Sequence, residues 1–175
     1  MKKGLLHVYC GDGKGKTTCA IGLAVRCAGA GGKVLLFQFL KRDTSSETKS
    51  LEKMNSIVLM PGYEKMKFTF KMTEPEKQDA ITFYKRKMKE IQQKVEEEEY
   101  DLLILDEAIG AVNAGMLEEN ELCTFLENRP NGLEVVLTGR DPSNRILDLA
   151  DYISNIQKIR HPFDKGIPAR RMIEM

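Results

Sequence analysis

Residues 5–18 read LLHVYC followed by Gly11-Asp12-Gly13-Lys14-Gly15-Lys16-Thr17-Thr18, an apolar run that passes directly into a loop of glycine and lysine. Residues 16–30 then predict a helix rich in Ala, Ile, Leu and Val, which the Gly31-Gly32 pair ends. A strand, a glycine-rich loop and a helix in immediate succession are the structural setting of a phosphate-binding loop. This order predicts a nucleotide site at the start of the helix.

The residue types of the loop suit that chemistry. Glycines let consecutive backbone N–H groups curve around a polyphosphate, and the helix N-terminus adds a favourable dipole. Lys16 adds a positive charge, and Thr17 offers a hydroxyl to Mg²⁺. We therefore predict that residues 11–18 bind the nucleotide and that Lys16 also takes part in catalysis.

Strand-like and helix-like segments alternate up to about residue 160, which indicates a parallel sheet covered by helices. The strand patterns lie at residues 5–10, 34–40, 102–105 and 135–138, with weaker ones at residues 57–60 and 153–159. The predicted fold is α/β, a P-loop NTPase, RecA-like three-layer fold with a mostly parallel central sheet. The length of 175 residues and the lack of a linker-like segment predict one domain over residues 1–175.

A long helix is predicted to begin at Thr73-Glu74-Pro75-Glu76, where the threonine hydroxyl and the second glutamate form a capping box. Its apolar side chains recur every three or four residues, at Ile81, Tyr84, Met88, Ile91 and Val95. We interpret this stripe as a helix packed on the sheet rather than a coiled coil. The irregular stretches 41–50 and 61–72 follow strand candidates, where open α/β sheets place ligand sites.

A pair of acidic residues follows another strand pattern, far from the loop in the sequence. The strand pattern of residues 102–105 ends in Asp106-Glu107, two carboxylates able to hold a metal directly or through water. We predict that Thr17, Asp106 and Glu107 hold Mg²⁺ or Mn²⁺. Arg140 ends another strand pattern, and we favour a nucleotide contact for it over a structural ion pair.

Charge and composition exclude several classes of function. Lys and Arg number 27 against 26 Asp and Glu, a net charge of +1 that creates no basic field for nucleic acid. No run approaches the ~18 apolar residues of a membrane span. The 4 cysteines form no C-x-x-C pair, which argues against zinc and predicts reduced thiols. We expect a cytoplasmic protein with no nucleic-acid or membrane partner.

The residues alone leave three reactions open: NTP hydrolysis, phosphoryl transfer to a small acceptor, and transfer of another part of the nucleotide. No Ser-His-Asp set is evident, and His7, inside a strand pattern, is better placed to pack than to act as a base. Cys10 stands where the common phosphate loop has glycine, so we expect an altered first turn and an altered nucleotide position.

The chain resembles the ATP:corrinoid adenosyltransferases of the cob(I)alamin and cob(I)yrinic acid a,c-diamide type nearly from end to end. The resemblance is carried by short signatures in order, namely Gly11 to Thr18, Gln38-Phe39-Leu40-Lys41, Asp106-Glu107, Arg129-Pro130, Thr138-Gly139-Arg140, Ala150-Asp151 and His161-Pro162-Phe163-Asp164-Lys165-Gly166. It implies that a Co(I) corrinoid, cob(I)alamin or a cobyrinic acid derivative, attacks the 5′ carbon of ATP and releases triphosphate. Because Co(I) is the nucleophile, no protein base is required.

The resemblance also implies a role for two aromatic residues in the loop before the long helix. Phe68 and Phe70 match a family pair that approaches the corrin and helps to exclude its lower axial ligand, which makes Co(II) easier to reduce. The alternative for this pair is an ordinary packing role. The family further implies a flavoprotein-type reductase as electron donor and a homodimer.

Two departures from the family and two competing functions accompany this interpretation. Because the sequence begins almost at the first strand, we expect a corrinoid pocket more open than in relatives with an N-terminal extension. The sequence of residues 169–175 differs from the usual C-terminal sequence of the family.

The competing functions are a P-loop small-molecule kinase or NTPase and a nucleotide-dependent corrinoid carrier.

Overall fold

The computed structural model describes residues 3–41, 46–170 and 172–173. Six strands form its sheet: β1 (Leu6–Cys10), β2 (Val34–Gln38), β3 (Ile57–Leu59), β4 (Leu102–Asp106), β5 (Glu134–Thr138) and β6 (Tyr152–Asn155). Their spatial order is β3-β2-β4-β5-β1-β6, and every neighbouring pair is parallel. The carboxyl ends of all six strands therefore meet at one edge, where open parallel sheets hold their ligands.

Helices connect the strands. They are α1 (Lys16–Gly29), α2 (Thr48–Leu51), α3 (Glu74–Glu97), α4 (Ala108–Asn113), α5 (Glu119–Asn128) and α6 (Asn144–Leu149), with short 3₁₀ helices at Thr69–Lys71 and Pro162–Lys165. In the described parts of the chain, no helix is both long enough and apolar enough to cross a membrane.

The core has two layers, one on each face of the sheet. On one face, Ala20 and Ala24 of α1 pack on Val34, Leu36 and other side chains of the central strands. On the other face, α3 to α6 cover the alternate side chains of the same strands. Strands buried on both faces read as nearly continuous apolar runs, which is why β2, β4 and β5 were visible in the sequence.

The predicted α/β fold with a parallel central sheet is confirmed. Strand β5 lies between β1, which carries the glycine-rich loop, and β4, which carries the acidic pair. All four strong strand patterns and both weaker ones form strands, although β6 ends at Asn155 and is exposed. The single domain over residues 1–175 stays a prediction.

The predicted long helix is confirmed, with the capping box of Thr73 and Glu76 formed at its start. Tyr84, Met88, Ile91 and Val95 are buried, so its apolar stripe does pack on the core. Helices α4, α5 and α6 were not predicted. Of the stretches expected to be irregular, residues 48–51 form α2, and residues 42–45 lie outside the described residues.

Candidate active site

The glycine-rich loop takes its shape from the chain segment that follows β6. Gly11 has φ +102°, and a Cβ there would lie 2.3 Å from Asn155 Oδ1 and 2.4 Å from the carbonyl oxygen of Ile156. The N–H of Gly13 donates to that same carbonyl at 2.8 Å. Gly15 has φ +124° and open space around it, so glycine is needed there for its backbone conformation and not for lack of room for a side chain.

Cys10 does not interrupt this arrangement. It ends β1 with its side chain in the core, 6% exposed, and the left-handed backbone begins one residue later at Gly11. The carbonyl oxygen of Cys10 accepts from the N–H of Ile156 at 2.8 Å. The altered nucleotide position expected from Cys10 stays a prediction.

Lys16 lies at the N-terminus of α1 and is only 8% exposed. Its Nζ donates to the carbonyl oxygens of Gly11 at 2.7 Å and Gly13 at 2.8 Å, so the ammonium is held inside the loop. Burial lowers the pKa of Lys16, and the carboxylate of Glu107 opposes that effect. Phosphate oxygens entering the loop would be stronger partners for this ammonium than neutral carbonyls.

Asp106 is the centre of a buried polar network at the end of β4. Its Oδ1 accepts from the hydroxyls of Thr17 at 2.9 Å and Thr138 at 2.6 Å. Its Oδ2 accepts from Gln38 Nε2 at 3.0 Å and Lys41 Nζ at 2.7 Å. The carboxylate is 0% exposed, and four donors from three segments of the chain fix its orientation.

Glu107 follows in a left-handed conformation with φ +58°. Its N–H donates to Thr138 Oγ1 at 2.8 Å, and its carboxylate lies beside Gly110, where a Cβ would approach Glu107 Oε2 to 2.7 Å. Burial raises the pKa of Glu107, and the neighbouring charge of Asp106 raises it further. The charge of this carboxylate acts on Lys16 of the glycine-rich loop.

These oxygens fit a cation. The ammonium of Lys41 already contacts Asp106 and lies 3.1 Å from Thr17 Oγ1, so one positive charge sits between the hydroxyl and the carboxylate. Mg²⁺ needs only one or two protein oxygens when phosphates and water complete its shell. Among the residues that the structure describes, no group of three His, Cys, Asp or Glu side chains could hold a metal alone. The metal assignment to Thr17, Asp106 and Glu107 stays a prediction.

An open cleft of about 730 Å³ lies over the glycine-rich loop. The predicted residues that line it are Asp12, Gly13, Lys14, Gly15, Lys16, Thr17, Thr18, Glu107 and Arg140. Asp12 Oδ1 accepts from the N–H of Lys158 at 2.9 Å, and this hydrogen bond lowers the pKa of Asp12. Of the C-terminal tail, Met172 and Ile173 also line the cleft, whereas residues 171, 174 and 175 lie outside the described residues.

A second cleft, of about 610 Å³, is formed by Leu40 and residues 66–71. Phe68 and Phe70 are 70% and 79% exposed, and their rings stack with centroids 5.6 Å apart at 20°. Lys71 Nζ lies 5.8 Å from both ring centroids. This flat, exposed aromatic pair contradicts a packing role in the core and leaves both rings accessible to a large apolar ligand.

The two clefts meet at adjacent residues after β2. Leu40 lines the aromatic cleft and Lys41 lines the phosphate cleft. Leu40 has φ +55°, and its N–H donates to the hydroxyl of Tyr84 at 3.0 Å. That hydroxyl in turn donates to Met66 Sδ at 3.5 Å, and burial raises the pKa of Tyr84 to about 12. Tyr84 of α3 thus links two segments of the aromatic cleft, Leu40 and Met66, and Leu40 directly precedes Lys41 of the phosphate cleft.

The structure therefore brings residues 12–18, Glu107 and Arg140 into one cleft and puts Phe68 and Phe70 in its neighbour. Gly11 and Asp106 do not line the cleft, and Asp106 is fully buried and bonded to Thr17. His7 lies elsewhere, with Nε2 2.6 Å from Glu134 Oε1 and its ring stacked on Tyr152, as expected of a packing residue. Sequence reasoning assigned no role to Gln38, Lys41, Thr138 or Tyr84. The signal for the first three was a polar residue that ends a buried strand, as Gln38 and Thr138 do, or that closely follows one, as Lys41 does.

The family model described as ATP:corrinoid adenosyltransferase BtuR/CobO/CobP matches residues 2–175. The chain belongs to this family. Adenosyl transfer from ATP to a corrinoid is therefore its reaction class, and the kinase and carrier alternatives lose their support. The resemblance suggested by the short sequence signatures is confirmed.

Individual relatives agree. The chain is 30% identical over 180 residues to the "Corrinoid adenosyltransferase CobA" of Salmonella typhimurium, covering 99% of this chain and 86% of that protein. It is 28% identical over 169 residues to the "Corrinoid adenosyltransferase" of Escherichia coli K12, covering 97% and 84%.

A solved structure, "The cytoplasmic domain of EssC", matches this adenosyltransferase fold with a TM-score of 0.52 at 16% identity, over 98% of this chain and 37% of that one. At that identity the likeness supports the fold alone.

Proposed function

We propose that this chain transfers the 5′-deoxyadenosyl group of ATP to the Co(I) centre of cobalamin or a cobyrinic acid derivative, using the two clefts together. The observation that carries the proposal is their junction at Leu40 and Lys41, which puts a polyphosphate cradle beside an exposed aromatic pair. In that reaction the electron pair of Co(I) forms the Co–C5′ bond, and the C5′–O bond breaks. Triphosphate leaves with that bonding pair, and cobalt becomes formally Co(III).

The phosphate cleft suits a leaving polyphosphate. Lys16 and the N-terminus of α1 direct positive charge at the place where negative charge develops on the departing oxygen. Arg140 lines the same cleft and adds a second cation. Because Co(I) carries no proton to remove, the cleft requires no general base.

A divalent ion, Mg²⁺ or Mn²⁺, belongs to the same proposal. Thr17 and Asp106 would hold it, with Glu107 acting directly or through water, and the ion would supply further charge neutralisation to the triphosphate. The oxygens of Thr17 and Asp106 support this assignment because they already share one cationic group.

Phe68 and Phe70 are proposed to contact the corrin and keep a coordinating base and water away from the lower face of cobalt. A cobalt centre without that ligand accepts an electron more readily, so the pair assists reduction of Co(II) to Co(I) by a flavoprotein-type reductase. Their exposure supports the role, since a corrin would bury both rings.

A homodimer and a cytoplasmic location complete the proposal. The exposed apolar residues Tyr152 and Ile153 on edge strand β6 offer a surface that a second copy could cover. The four cysteines, Cys10, Cys19, Cys27 and Cys123, are all free thiols, which agrees with a reducing compartment.

The deciding experiment mixes the purified chain anaerobically with chemically reduced cob(I)alamin, ATP and Mg²⁺. We expect a light-sensitive alkylcobalamin and one triphosphate for each corrinoid consumed. ADP and phosphate as the nucleotide products would indicate a kinase or NTPase. Saturable corrinoid binding without product, with cob(I)alamin and with a precursor corrinoid, would indicate a carrier.

A further inference from the structure

Lys41 occupies a position that the proposed chemistry leaves unexplained. Its Nζ is 2.7 Å from Asp106 Oδ2 and 3.1 Å from Thr17 Oγ1, the same two side chains that the nucleotide-binding proposal gives to a divalent ion. The lysine side chain is 26% exposed, whereas the carboxylate it contacts is fully buried. A buried carboxylate left without a cation would be costly, and Lys41 supplies one.

The two cations exclude each other on geometric grounds. Mg²⁺ lies about 2.0–2.1 Å from its oxygen ligands. An ion bonded to the hydroxyl and the carboxylate would therefore fall in the space that the ammonium fills, and their like charges would repel. Asp106 has no free oxygen to offer instead, since Thr138 and Gln38 hold the remaining positions.

The lysine has another partner once a nucleotide arrives. Lys41 lines the phosphate cleft and contacts both members of the Asp106–Thr17 pair. Phosphate oxygens of ATP in that cleft give the ammonium a new anionic contact. Its departure from Asp106 then leaves the two oxygens to a metal.

We propose that Lys41 is a tethered cation that holds Thr17 and Asp106 in position before the nucleotide binds and makes metal binding depend on the nucleotide. The inference rests on the proposed function only in taking ATP as the nucleotide. By linkage, ATP and the metal raise each other's affinity, and part of that coupling comes from the release of Lys41. Lys41 is a positioning residue and is not assigned a direct part in the bond exchange.

The test measures Mn²⁺ affinity by electron paramagnetic resonance, which detects free Mn²⁺, with the full chain and no corrinoid. We expect weak binding to the nucleotide-free protein and, when ATP is added, a marked gain over the Mn²⁺ that ATP alone binds in a titration without protein. Lys41→Gln and Lys41→Met should bind Mn²⁺ without nucleotide more tightly by about 5- to 150-fold, the usual range of such couplings. In these variants ATP should raise the Mn²⁺ affinity by a correspondingly smaller factor.

Two further variants locate the effect. Lys53→Gln removes the same charge from an exposed position after α2 and should leave Mn²⁺ affinity at the wild-type value. Lys41→Gln/Asp106→Asn should lose the gain, because the metal's carboxylate is gone. An unchanged Mn²⁺ affinity in folded Lys41→Gln and Lys41→Met, or a gain that survives Asp106→Asn, would overturn the inference. Since neither corrinoid nor turnover enters this measurement, its failure is distinct from failure of the adenosyl transfer assay.

Discussion

The phosphate cleft and the aromatic cleft are adjacent but differ in how far they are built before a ligand binds. In the first, Lys16 and Asp106 are almost fully buried, and the polar side-chain atoms of Lys16, Thr17 and Asp106 have partners at 2.6 to 3.1 Å. In the second, Phe68 and Phe70 are mostly exposed and contact mainly each other and Lys71. One cleft is organised by the protein, and the other has apolar surface that only a ligand would cover.

This difference follows from the chemistry of the two ligands. A polyphosphate is recognised by fixed dipoles and charges, which act most strongly when they need no rearrangement. A corrin is broad and largely apolar, and burial of aromatic rings against it supplies free energy in proportion to the area covered. We therefore expect changes in the phosphate cleft to affect every form of the reaction, and changes in the aromatic cleft to affect only steps that depend on the state of the corrinoid.

The largest effect is expected for Lys16→Ala. It removes the buried ammonium that the loop holds and that would contact the triphosphate, so kcat/KM should fall by about 100-fold or more. The fall should be equal with corrinoid supplied as Co(I) and as Co(II) plus a reductant. Steady-state kinetics in both assays measure it, with Lys53→Ala as the matched loss of an exposed lysine. Unchanged turnover would remove Lys16 from the catalytic group.

Phe68→Ala should separate the two assays. Removal of one ring that the corrin buries should cost roughly 1.5–3 kcal/mol of the free energy of that contact. This predicts a loss of about 10- to 100-fold with Co(II) corrinoid plus reductant, and a clearly smaller loss with Co(I) corrinoid. Phe70→Ala should behave in the same way because the two rings stack.

Val25→Ala is a suitable control for Phe68→Ala because Val25 is an exposed apolar residue on α1, and it should retain both activities. An equal loss in both assays for Phe68→Ala would end its assignment to the lower face of cobalt. A loss in neither assay would return the pair to an ordinary surface role.

The fold was predictable where the sequence pattern is dense. Strands buried on both faces leave apolar runs, so β2, β4 and β5 were located nearly to their ends. Thr73 and Glu76 marked the start of α3 because a capping box is a local arrangement. Helices α4 and α6 have only six residues each, too few for a helical period to stand out, and they were missed.

The site was predictable as separate motifs, but not as a network. The glycine-rich loop and Asp106 each follow a strand, and parallel strands bring those ends together. Nothing local in the sequence indicates that Gln38, Lys41 and Thr138 all donate to the carboxylate of Asp106. These three donors, together with Thr17, lie 32 to 89 residues from Asp106 along the chain. The role of Tyr84 was hidden for another reason. Its position in an apolar stripe explained its ring and left its hydroxyl without a predicted partner.

Tyr84→Phe should loosen the wall of the aromatic cleft. It deletes a hydroxyl that accepts from the N–H of Leu40 and donates to Met66 Sδ, and a hydrogen bond contributes about 1 kcal/mol net. We expect that loss in the free energy of unfolding and a rise of about 5-fold in the KM for Co(II) corrinoid. Urea unfolding and steady-state kinetics measure the two quantities.

Tyr100→Phe is the matched control for Tyr84→Phe. Tyr100 donates to Glu98 Oε2 at 3.0 Å, just beyond the far end of α3. Its loss should affect stability and leave the KM for the corrinoid unchanged. If both variants raised KM equally, Tyr84 would have no specific role in holding the aromatic cleft.

The smallest effect concerns the ion pair that fastens the aromatic loop to α3. Lys67 Nζ donates to Glu76 Oε1, and this contact lowers the pKa of Glu76 to about 2 from a usual 4.5. A carboxylate with a depressed pKa stabilises the fold above its unfolded pKa, and the contribution disappears as pH falls through the folded value. Both groups are exposed, so screening keeps the effect small.

The stability difference between wild type and Glu76→Gln should therefore be constant from pH 7 to about pH 5 and vanish as pH approaches 2, which thermal unfolding over that range measures. A difference that grew as pH fell would mean that the charge of Glu76 does not stabilise the loop.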